Sequence, residues 1–364
     1  MGNVPIKGVF EYWRPTPVEE PDPIPAPEPA RPPIAPADMP IVGEGDGMRA
    51  YHLNLKPADL ADYVIIVGDP DRATAIAKRF FLSGNQTEVF HRGLRTITGI
   101  TRAGTRVTVT TSGMGTPSLE IVFNELVILR EINLKTREPI VPRPPPLTVI
   151  RVGTSGALRA DTPLGTAIIS AYGIGLDGAG LYYDVRGDVV LERIERMTYQ
   201  AINADVPKNC RYCELLPLPY AARADPVVVR ELWDSAKMLA VPSRVGITVS
   251  AGGFFANQGR RPVWRLRPTV PDIDTIIGAV EYGENPGDIC ALNMEMEAAM
   301  LLHLGSAAGY RCAAVCTTVA QRVEGKFLAD SAPAVDAAAA VVIDAIDRMA
   351  KKVPTGPTAA ATSK

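Results

Sequence analysis

The hydrophobic positions of this chain fall into short β-branched runs that alternate with longer amphipathic stretches, which is the pattern of an α/β protein. The runs at 63–67 and 148–152 are apolar almost throughout, as expected of strands buried on both faces of a sheet. Further strands are predicted at 166–171, 244–251 and 311–319. Helices are predicted at 57–62, 72–81, 118–129, 189–204, 226–239, 298–304 and 335–349.

Alternation, prolines and glycines assign the segments between these elements. Residues 89–111 alternate apolar and polar side chains, which predicts a β-hairpin with its turn at 103–104. Five prolines in 135–147 predict a surface insertion. Gly305 is expected to end the helix predicted at 298–304. Outside its one predicted helix, the segment 179–225 follows no clear pattern.

Composition divides the chain into three parts. Residues 1–46 are rich in proline, alanine and acidic side chains, which predicts an extended, disordered N-terminal extension. Residues 47–350 contain all the predicted elements and are expected to form one folded catalytic domain. The polar residues 351–364 are expected to form a flexible C-terminal tail.

The overall charge and hydropathy exclude several classes of protein. The 364 residues are 46% hydrophobic and 21% charged, which is typical of a globular chain. A net charge of −2 provides no basic field for nucleic acid or an anionic membrane. No apolar run reaches about 18 residues, so no membrane span is predicted.

Five cysteines, an odd number, favour a reducing compartment over a disulfide framework, and we expect a cytoplasmic protein. Cys210 and Cys213 form one CxxC pair, but no second pair has matching spacing. Cys312 and Cys316 lie in an apolar run and are expected to be buried thiols. The cysteines therefore predict no metal site.

The strand at 148–152 carries Arg151 in the middle of its apolar run. A buried arginine is costly unless an anion or a carboxylate meets it. The small residues at 153–156, which include Thr154, predict a turn at the carboxyl end of the strand, where α/β sheets bind ligands. An oxyanion site is one interpretation, and a structural ion pair beside a tight turn is the alternative.

A second arrangement suited to an oxyanion follows the strand at 63–67. Gly68 begins the turn Gly-Asp-Pro-Asp-Arg, and Arg72 stands at the mouth of the next predicted helix. Helix N-termini and guanidinium groups both attract anions. Many α/β proteins have such turns, so this motif gains weight only in combination with the others.

Five segments, taken together, resemble the uridine phosphorylase branch of the nucleoside phosphorylase-I family. They are Gly-Asp-Pro-Asp-Arg at 68–72, Ser-Gly-Met-Gly-Thr-Pro-Ser at 112–118, Arg-Val-Gly-Thr-Ser-Gly at 151–156, Phe254 with Gln258 and Arg260, and Asn-Met-Glu-Met-Glu at 293–297. The resemblance covers roughly residues 48–350. It implies a three-layer α/β/α sandwich around a central mixed, partly barrel-like sheet.

The same resemblance implies a pentosyltransferase that cleaves uridine reversibly to uracil and ribose 1-phosphate. Inorganic phosphate would be the co-substrate, and no organic cofactor would be needed. Phosphate would be held by donors of one subunit and by an arginine lent from its neighbour, so that a homodimer is the minimum active unit. The residues implied are Gly68, Arg72, Arg151 and Thr154 from one subunit and Arg92 from the other.

Two points about the lent arginine stay open. Arg95 is the alternative to Arg92, because one extra residue in the hairpin can shift the match. Gly93 follows Arg92 where bacterial members often carry a cation-binding glutamate, which leaves an interface cation undecided.

The segment 293–297 is implied to bind the ribose. Glu295 and Glu297 would accept from its hydroxyls while Met296 covers the ring, and His52 of a second subunit would reach the 5′-hydroxyl. The alternatives are an acidic helix start for the two glutamates and an ordinary surface or capping residue for His52.

The loop after the strand at 244–251 is implied to bind the base. Phe254 would stack on the ring, Gln258 would pair with a carbonyl and an N–H, and Arg260 would donate to a carbonyl that gains charge as the base leaves. A structural loop with incidental polar residues is the alternative. Arg322 is a further, weaker candidate near the base. The predicted catalytic residues are Arg151, Thr154, Arg260 and Glu297.

Two other functions remain as alternatives. One is a purine nucleoside phosphorylase of the same fold, but that branch places an aspartate after the strand near 315 and the segment 316–322 contains none. The other is a catalytically silent nucleoside-binding protein, which would bind ligand without phosphate-dependent turnover.

Overall fold

The computed structural model describes residues 39–84, 86–204, 206, 218–283 and 289–352. Its strands are β1 (Ile41–Val42), β2 (Arg49–Ala50), β3 (Tyr63–Val67), β4 (Thr87–His91), β5 (Leu94–Ile100), β6 (Arg106–Thr111), β7 (Ile132–Asn133), β8 (Glu138–Pro139), β9 (Thr148–Ala157), β10 (Ala167–Gly175), β11 (Tyr220–Arg223), β12 (Ser243–Ser250), β13 (Ala291–Glu295), β14 (Arg311–Gln321) and β15 (Lys326–Phe327). Its α-helices are α1 (Pro70–Phe80), α2 (Thr116–Glu131), α3 (Val189–Ala204), α4 (Pro226–Met238), α5 (Ile273–Gly278), α6 (Ala298–Ala308) and α7 (Ala332–Lys352).

Eleven strands of the described residues join in one mixed sheet. Their hydrogen-bonded order is β15–β14–β10–β12–β13–β9–β3–β6–β5–β4, with β11 also paired to β10. Because β14 pairs with β10 on one side and with β9 on the other, the strands β9, β14, β10, β12 and β13 close into a five-stranded ring. The predicted mixed, partly barrel-like sheet is confirmed.

The helices cover this sheet. α6 packs on β10 and β14 and contacts α2, whereas α7 packs on β9 and β14 and contacts α4. Ile65, Ile66, Ile150 and Val152 are fully buried as a result. Burial on both faces explains why these strands are continuous apolar runs and not alternating ones. The predicted α/β/α architecture is confirmed.

The strand that carries Arg151 is longer than predicted. The turn predicted at 153–156 is wrong, because β9 continues to Ala157. The parallel ladder with β14 extends to the end of the strand, and β13 pairs with Gly156 and Ala157. These backbone groups are hydrogen-bonded within the sheet, and Gly153 and Gly156 leave space that neighbouring side chains occupy.

The predicted hairpin gains a strand. The turn at 103–104 is confirmed and connects β5 to β6. A second tight turn at Arg92 and Gly93, both with positive φ, adds β4, so that residues 89–111 belong to three strands and not two. This second turn presents Arg92 at the outer edge of the sheet.

Gly305 does not end its helix, contrary to prediction. α6 continues to Ala308 and ends at the left-handed Gly309. Gly305 is instead a point of close packing, because a Cβ there would lie 2.3 Å from the Cys312 Sγ. The short helix predicted at 57–62 is a single 3₁₀ turn at Pro57–Asp59.

The described chain begins with a short hairpin, since β1 pairs with β2 and the side chains of Met39 and Ile41 are buried. The predicted boundary at residue 46 falls between these two strands. The predicted insertion at 135–147 contains β8, which forms a ribbon with β7. Residues 1–38, the Cys210–Cys213 pair and the tail after 352 lie outside the described residues. Within the described ranges, no helix is long and apolar enough to cross a membrane.

Candidate active site

A cavity of about 530 Å³ lies where β3 and β6 end, along the second half of β9 and beside the loop that follows β12. Ligands of α/β proteins bind at this edge of the sheet. The cavity brings together most of the residues that the sequence predicted to bind substrates: Gly68, Arg72, Arg151, Thr154, Phe254, Gln258, Arg260, Glu295, Met296 and Glu297. His52 and Arg92 do not line it.

Arg151 is a buried cation held by two carboxylates. Its Nε donates to Glu295 Oε2 at 2.9 Å, and its Nη2 donates to Glu297. Burial alone would lower the pKa of Arg151, but Glu297 and Glu295 raise it above its ordinary value. The Nη1 atom is buried without a hydrogen-bond partner among the described residues. Because an unsatisfied buried donor costs about 1–3 kcal/mol, an anion that accepts from Nη1 would be stabilised.

Arg72, on the first turn of α1, makes no hydrogen bond or ion pair with any described residue. Burial and the nearby Arg151 both lower its pKa. The two guanidinium groups therefore repel each other, and Arg72 has no ion pair among the described residues to offset this. A dianion between them would relieve this repulsion and accept hydrogen bonds from both. Gly68 and Thr154 line the same part of the cavity.

Gly153, two residues after Arg151 on β9, leaves room for the Arg151 side chain. A Cβ at Gly153 would lie 3.2 Å from Arg151 Nη2 and 2.9 Å from the Cys316 Sγ. The guanidinium group is thus packed back against its own strand, where a larger residue at 153 would displace it. This packing is the physical reason for a glycine at 153, one of the small residues from which a turn was predicted.

Glu295 and Glu297 differ in how much of each carboxylate is already used. The Oε1 atom of Glu295 accepts from Ser250 Oγ and from the backbone N–H groups of Glu297 and Ala298, and its Oε2 accepts from Arg151. A carboxylate has about four lone-pair sites, so these contacts saturate Glu295. The predicted contact of Glu295 with ribose does not fit this geometry, because the side chain instead ties the start of α6 to Arg151.

Glu297 keeps acceptor capacity. One oxygen accepts from the backbone N–H of Gly115 and the other from Arg151 Nη2, which leaves about half of its lone-pair sites open toward the cavity. Burial, together with the neighbouring Glu295, raises the pKa of Glu297, and Arg151 opposes this rise. Met296 lies between the two glutamates and lines the cavity beside them.

The opposite part of the cavity presents hydrogen-bond donors beside an aromatic ring. Arg260 Nη1 donates to the Phe254 carbonyl and to Gln258 Oε1, both at 2.8 Å, and its guanidinium carbon lies 3.8 Å from the centroid of the Phe254 ring. Gln258 Nε2 is buried without a partner among the described residues. Gln258 was predicted to offer both a donor and an acceptor, but its oxygen is occupied and its free group is the donor.

Arg322, a further predicted candidate, does not line the cavity but bonds to Gln258, which does. Its Nη1 donates to the Gln258 carbonyl at 2.8 Å, and its Nη2 donates to Gln258 Oε1. A Cβ at Gly156 would lie 2.7 Å from Arg322 Nε, so the glycine admits the guanidinium group. Burial, and then the charge of Arg322, lower the pKa of Arg260 to about 10. An arginine directly after a long buried strand was the available signal in the sequence.

His52 and Arg92 lie together on the surface, outside the cavity of their own chain. Arg92 Nη1 donates to the Tyr51 hydroxyl at 3.1 Å, and His52 Nδ1 lies 2.7 Å from Glu125 Oε1. The Arg95 side chain is occupied by partners in its own chain, because it donates to Thr74 Oγ1 and pairs with Glu88 at 3.3 Å.

The cavity thus combines two facing guanidinium groups, a partly free carboxylate and a donor-rich wall, on a sheet that closes into a ring. The family described as the phosphorylase superfamily matches residues 62–351, well over half of the chain. The chain belongs to the phosphorylase superfamily. No group of three or more His, Cys, Asp or Glu side chains that could hold a metal occurs among the described residues of this phosphorylase.

Relatives of this phosphorylase include enzymes named for different nucleosides. It is 30% identical over 283 residues to a uridine phosphorylase of Thermococcus kodakarensis, across 78% of this chain and 80% of the relative. It is 29% identical over 270 residues to a DeoD-type purine nucleoside phosphorylase of Pectobacterium atrosepticum, across 74% of this chain and 84% of the relative.

Solved structures similar to this phosphorylase are likewise described by different nucleoside substrates. A Trypanosoma brucei nucleoside phosphorylase, described as showing uridine phosphorylase activity, matches with a TM-score of 0.75 and 27% identity over 84% of this chain and 99% of its own. A purine nucleoside phosphorylase from Toxoplasma gondii in complex with immucillin-H matches with a TM-score of 0.56 and 18% identity over 82% of this chain and 96% of its own. At that identity the second match supports the fold alone.

Proposed function

We propose that this chain is a uridine phosphorylase, which cleaves uridine with inorganic phosphate to uracil and ribose 1-phosphate. The observation that carries the proposal is the pair of guanidinium groups, Arg72 and Arg151, with unpaired donors in the same cavity as a donor-rich base wall. The similarity to the uridine phosphorylase of Thermococcus kodakarensis supports it.

In the proposed reaction a phosphate oxygen bonds to the anomeric carbon as the bond from that carbon to the base nitrogen breaks. Positive charge develops on the sugar, and phosphate held by Arg72, Arg151, Thr154 and Gly68 places its negative charge beside it. The bonding electron pair passes to the base, whose carbonyl oxygens gain charge and accept more strongly from Arg260. The base then takes up the proton that hydrogen phosphate gives up as it becomes the ester, which leaves neutral uracil and ribose 1-phosphate. Glu297 accepts from a ribose hydroxyl and orients the sugar.

The base wall favours uridine over the purine alternative. Gln258 and Arg260 both present donors, which suit the two carbonyl oxygens of uracil. The segment 316–322 has no aspartate to protonate a purine ring. The similarity to a DeoD-type relative keeps a purine nucleoside phosphorylase as the second candidate.

A panel of nucleosides assayed with and without phosphate tests the proposal. We expect uracil release from uridine only with phosphate, and little release of hypoxanthine from inosine or of cytosine from cytidine. Faster cleavage of inosine than of uridine would establish the purine candidate instead. Uridine binding without turnover would show a silent binding protein.

Replacing Arg260 by alanine should lower kcat for uridine by about a hundredfold, since one donor to the leaving base is lost in the transition state. Folding should be unaffected, because Arg260 makes its hydrogen bonds within an exposed loop. Steady-state kinetics and thermal unfolding measure the two effects. Arg261→Ala removes an equal charge from the adjacent residue, which does not line the cavity, and should leave kcat unchanged. A fully active Arg260→Ala variant would contradict the assigned role.

We further propose that the active unit is at least a homodimer, in which His52 and Arg92 complete the cavity of the neighbouring subunit. Both lie outside their own cavity, and Arg92 is exposed whereas Arg95 is held by Thr74 and Glu88. This contrast favours Arg92 as the lent arginine.

Mixing two nearly inactive variants tests the shared site. Arg92→Asn, chosen because asparagine tolerates the φ of 52° at this position, and Arg260→Ala should each be nearly inactive alone. After subunit exchange, half of the dimers are mixed and each has one intact site, so about a quarter of wild-type activity should return. Absence of recovery, with exchange confirmed by mass spectrometry of tagged subunits, would place both residues in one subunit's site.

The reaction as proposed needs phosphate and no organic cofactor, because bond cleavage involves no redox step. We also propose a cytoplasmic location, in line with the three free, buried cysteines of the described residues, Cys290, Cys312 and Cys316. Cell fractionation with an antibody to the chain tests this, and recovery from a secreted or organellar fraction would contradict it.

A further inference from the structure

Gln258 is the most deeply buried amide of the cavity wall, with 2% of its surface exposed. Its Oε1 accepts from Arg260 and from Arg322, and its Nε2 has no partner among the described residues. An amide can be turned by 180° with little change of shape, so its orientation depends on its neighbours. Guanidinium groups only donate, and two of them at one end force the oxygen to that end and the NH₂ group toward the cavity.

Of the two arginines, Arg322 constrains the orientation of the Gln258 amide more strongly. It contacts both the side chain and the backbone carbonyl of Gln258, and only 8% of its own side chain is exposed. Arg260, in contrast, belongs to an exposed loop and also bonds to Phe254. Two adjacent cations repel each other, and this repulsion would drive Arg322 from Gln258 unless a negative charge held it.

That negative charge comes from Asp274 on α5. Its Oδ2 lies 3.0 Å from Arg322 Nη1, the nitrogen that also donates to the Gln258 carbonyl. Asp274 Oδ1 accepts from the backbone N–H of Thr275 at 3.0 Å, which fixes the carboxylate on the helix. Asp274 does not line the cavity, so any effect it has on substrate passes through Arg322.

We propose that Asp274 is a positioning residue for base selectivity, which holds Arg322 against Gln258 and thereby keeps the Gln258 NH₂ group directed at the base. The kinetic readout of this inference rests on the proposed function. A wall of donors can donate to the two carbonyl oxygens of uracil. It disfavours cytosine, in which an amino group replaces one of those oxygens and would meet a donor.

Asp274→Ala tests the inference, with Asp234→Ala as the matched control. Asp234, like Asp274, lies on a helix, pairs with an arginine, at 3.2 Å from Arg230, and does not line the cavity, but its arginine is not one of the two that contact the Gln258 side chain. For Asp274→Ala we expect the KM for uridine to rise about tenfold and the preference in kcat/KM for uridine over cytidine to fall about tenfold, with the KM for phosphate changed less than about twofold. A merely structural role would change both KM values and leave the preference intact.

A crystal structure of the variant gives a readout that needs no substrate. We expect Arg322 to leave Gln258 and the amide to lose its single orientation. If the kinetics and the Arg322–Gln258 contacts of Asp274→Ala match those of the control, the inference is overturned while the uridine phosphorylase assignment stands. If the wild type fails to cleave uridine, that assignment falls and the crystal structure alone decides the inference. Should Asp274→Ala fail to fold, Asp274→Asn removes the charge at nearly constant size, and the same outcomes apply.

Discussion

Arg151→Met should abolish phosphorolysis and lower the free energy of unfolding by about 3–5 kcal/mol, since removing one member of a buried ion-pair cluster leaves the others uncompensated. The stranded groups would be the buried carboxylates of Glu295 and Glu297. Chemical denaturation and a uridine assay measure the two effects. Activity near that of the wild type would refute the phosphate site.

Arg72→Met should be equally inactive but should unfold at the same or a higher denaturant concentration than the wild type. Arg72 has no ion pair among the described residues and is repelled by Arg151, so its removal leaves no carboxylate without a partner. Phosphate should raise the Tm of the wild type, because a ligand that binds only the folded state stabilises it, and should not raise that of this variant.

Arg79→Met is the matched control for both substitutions. Arg79 also lies on α1 but is exposed, pairs with Asp336 and does not line the cavity. Its replacement should leave activity and the phosphate-dependent rise in Tm unchanged. Loss of stability in Arg72→Met, or a persisting effect of phosphate on its Tm, would contradict the interpretation of Arg72 as an unpaired anion ligand.

Glu297→Gln should lower kcat/KM for uridine by about a hundredfold to a thousandfold, because an acceptor that orients the sugar in the transition state is lost. Both carboxylate oxygens of Glu297 accept hydrogen bonds, from Gly115 and Arg151, so an amide NH₂ group necessarily faces one donor. The KM for phosphate should change much less than kcat. Steady-state kinetics with each substrate varied in turn provides the measurement.

Glu295→Gln and Glu231→Gln show whether this effect belongs to the ribose site. Glu295 is saturated by internal contacts, so its replacement should act mainly on stability. Glu231 is a buried carboxylate with two cationic partners, Arg348 and Lys352, and does not line the cavity. Glu231→Gln should leave kcat/KM unchanged. Equal losses of activity at 295 and 297 would mean that the two glutamates act as one structural unit.

Local sequence patterns were sufficient for the long buried strands and the larger helices, but they did not predict β11, β13 or α5. The runs at 63–67 and 148–152 form the strands expected of apolar runs in which Arg151 is the one charged residue, and α3 has the bounds predicted for it. The errors fall where spacing is ambiguous. Small residues at 153–156 are compatible with a turn or with a strand that makes room for a side chain, and only pairing with β13 and β14 decides between them.

The sequence by itself determined most of the residues of the site, chiefly because five of its segments resemble a known family. For the motifs at 68–72 and 151–156 there is also a physical reason, since ligands bind at the carboxyl ends of parallel strands. Only the tertiary structure decided how much of each group is left for a ligand. Glu295 and Glu297 are two residues apart and chemically identical, yet the first is saturated and the second is partly free. The physical reason is that a carboxylate can accept only a limited number of hydrogen bonds. In the folded chain, residues distant in sequence occupy some of these acceptor sites.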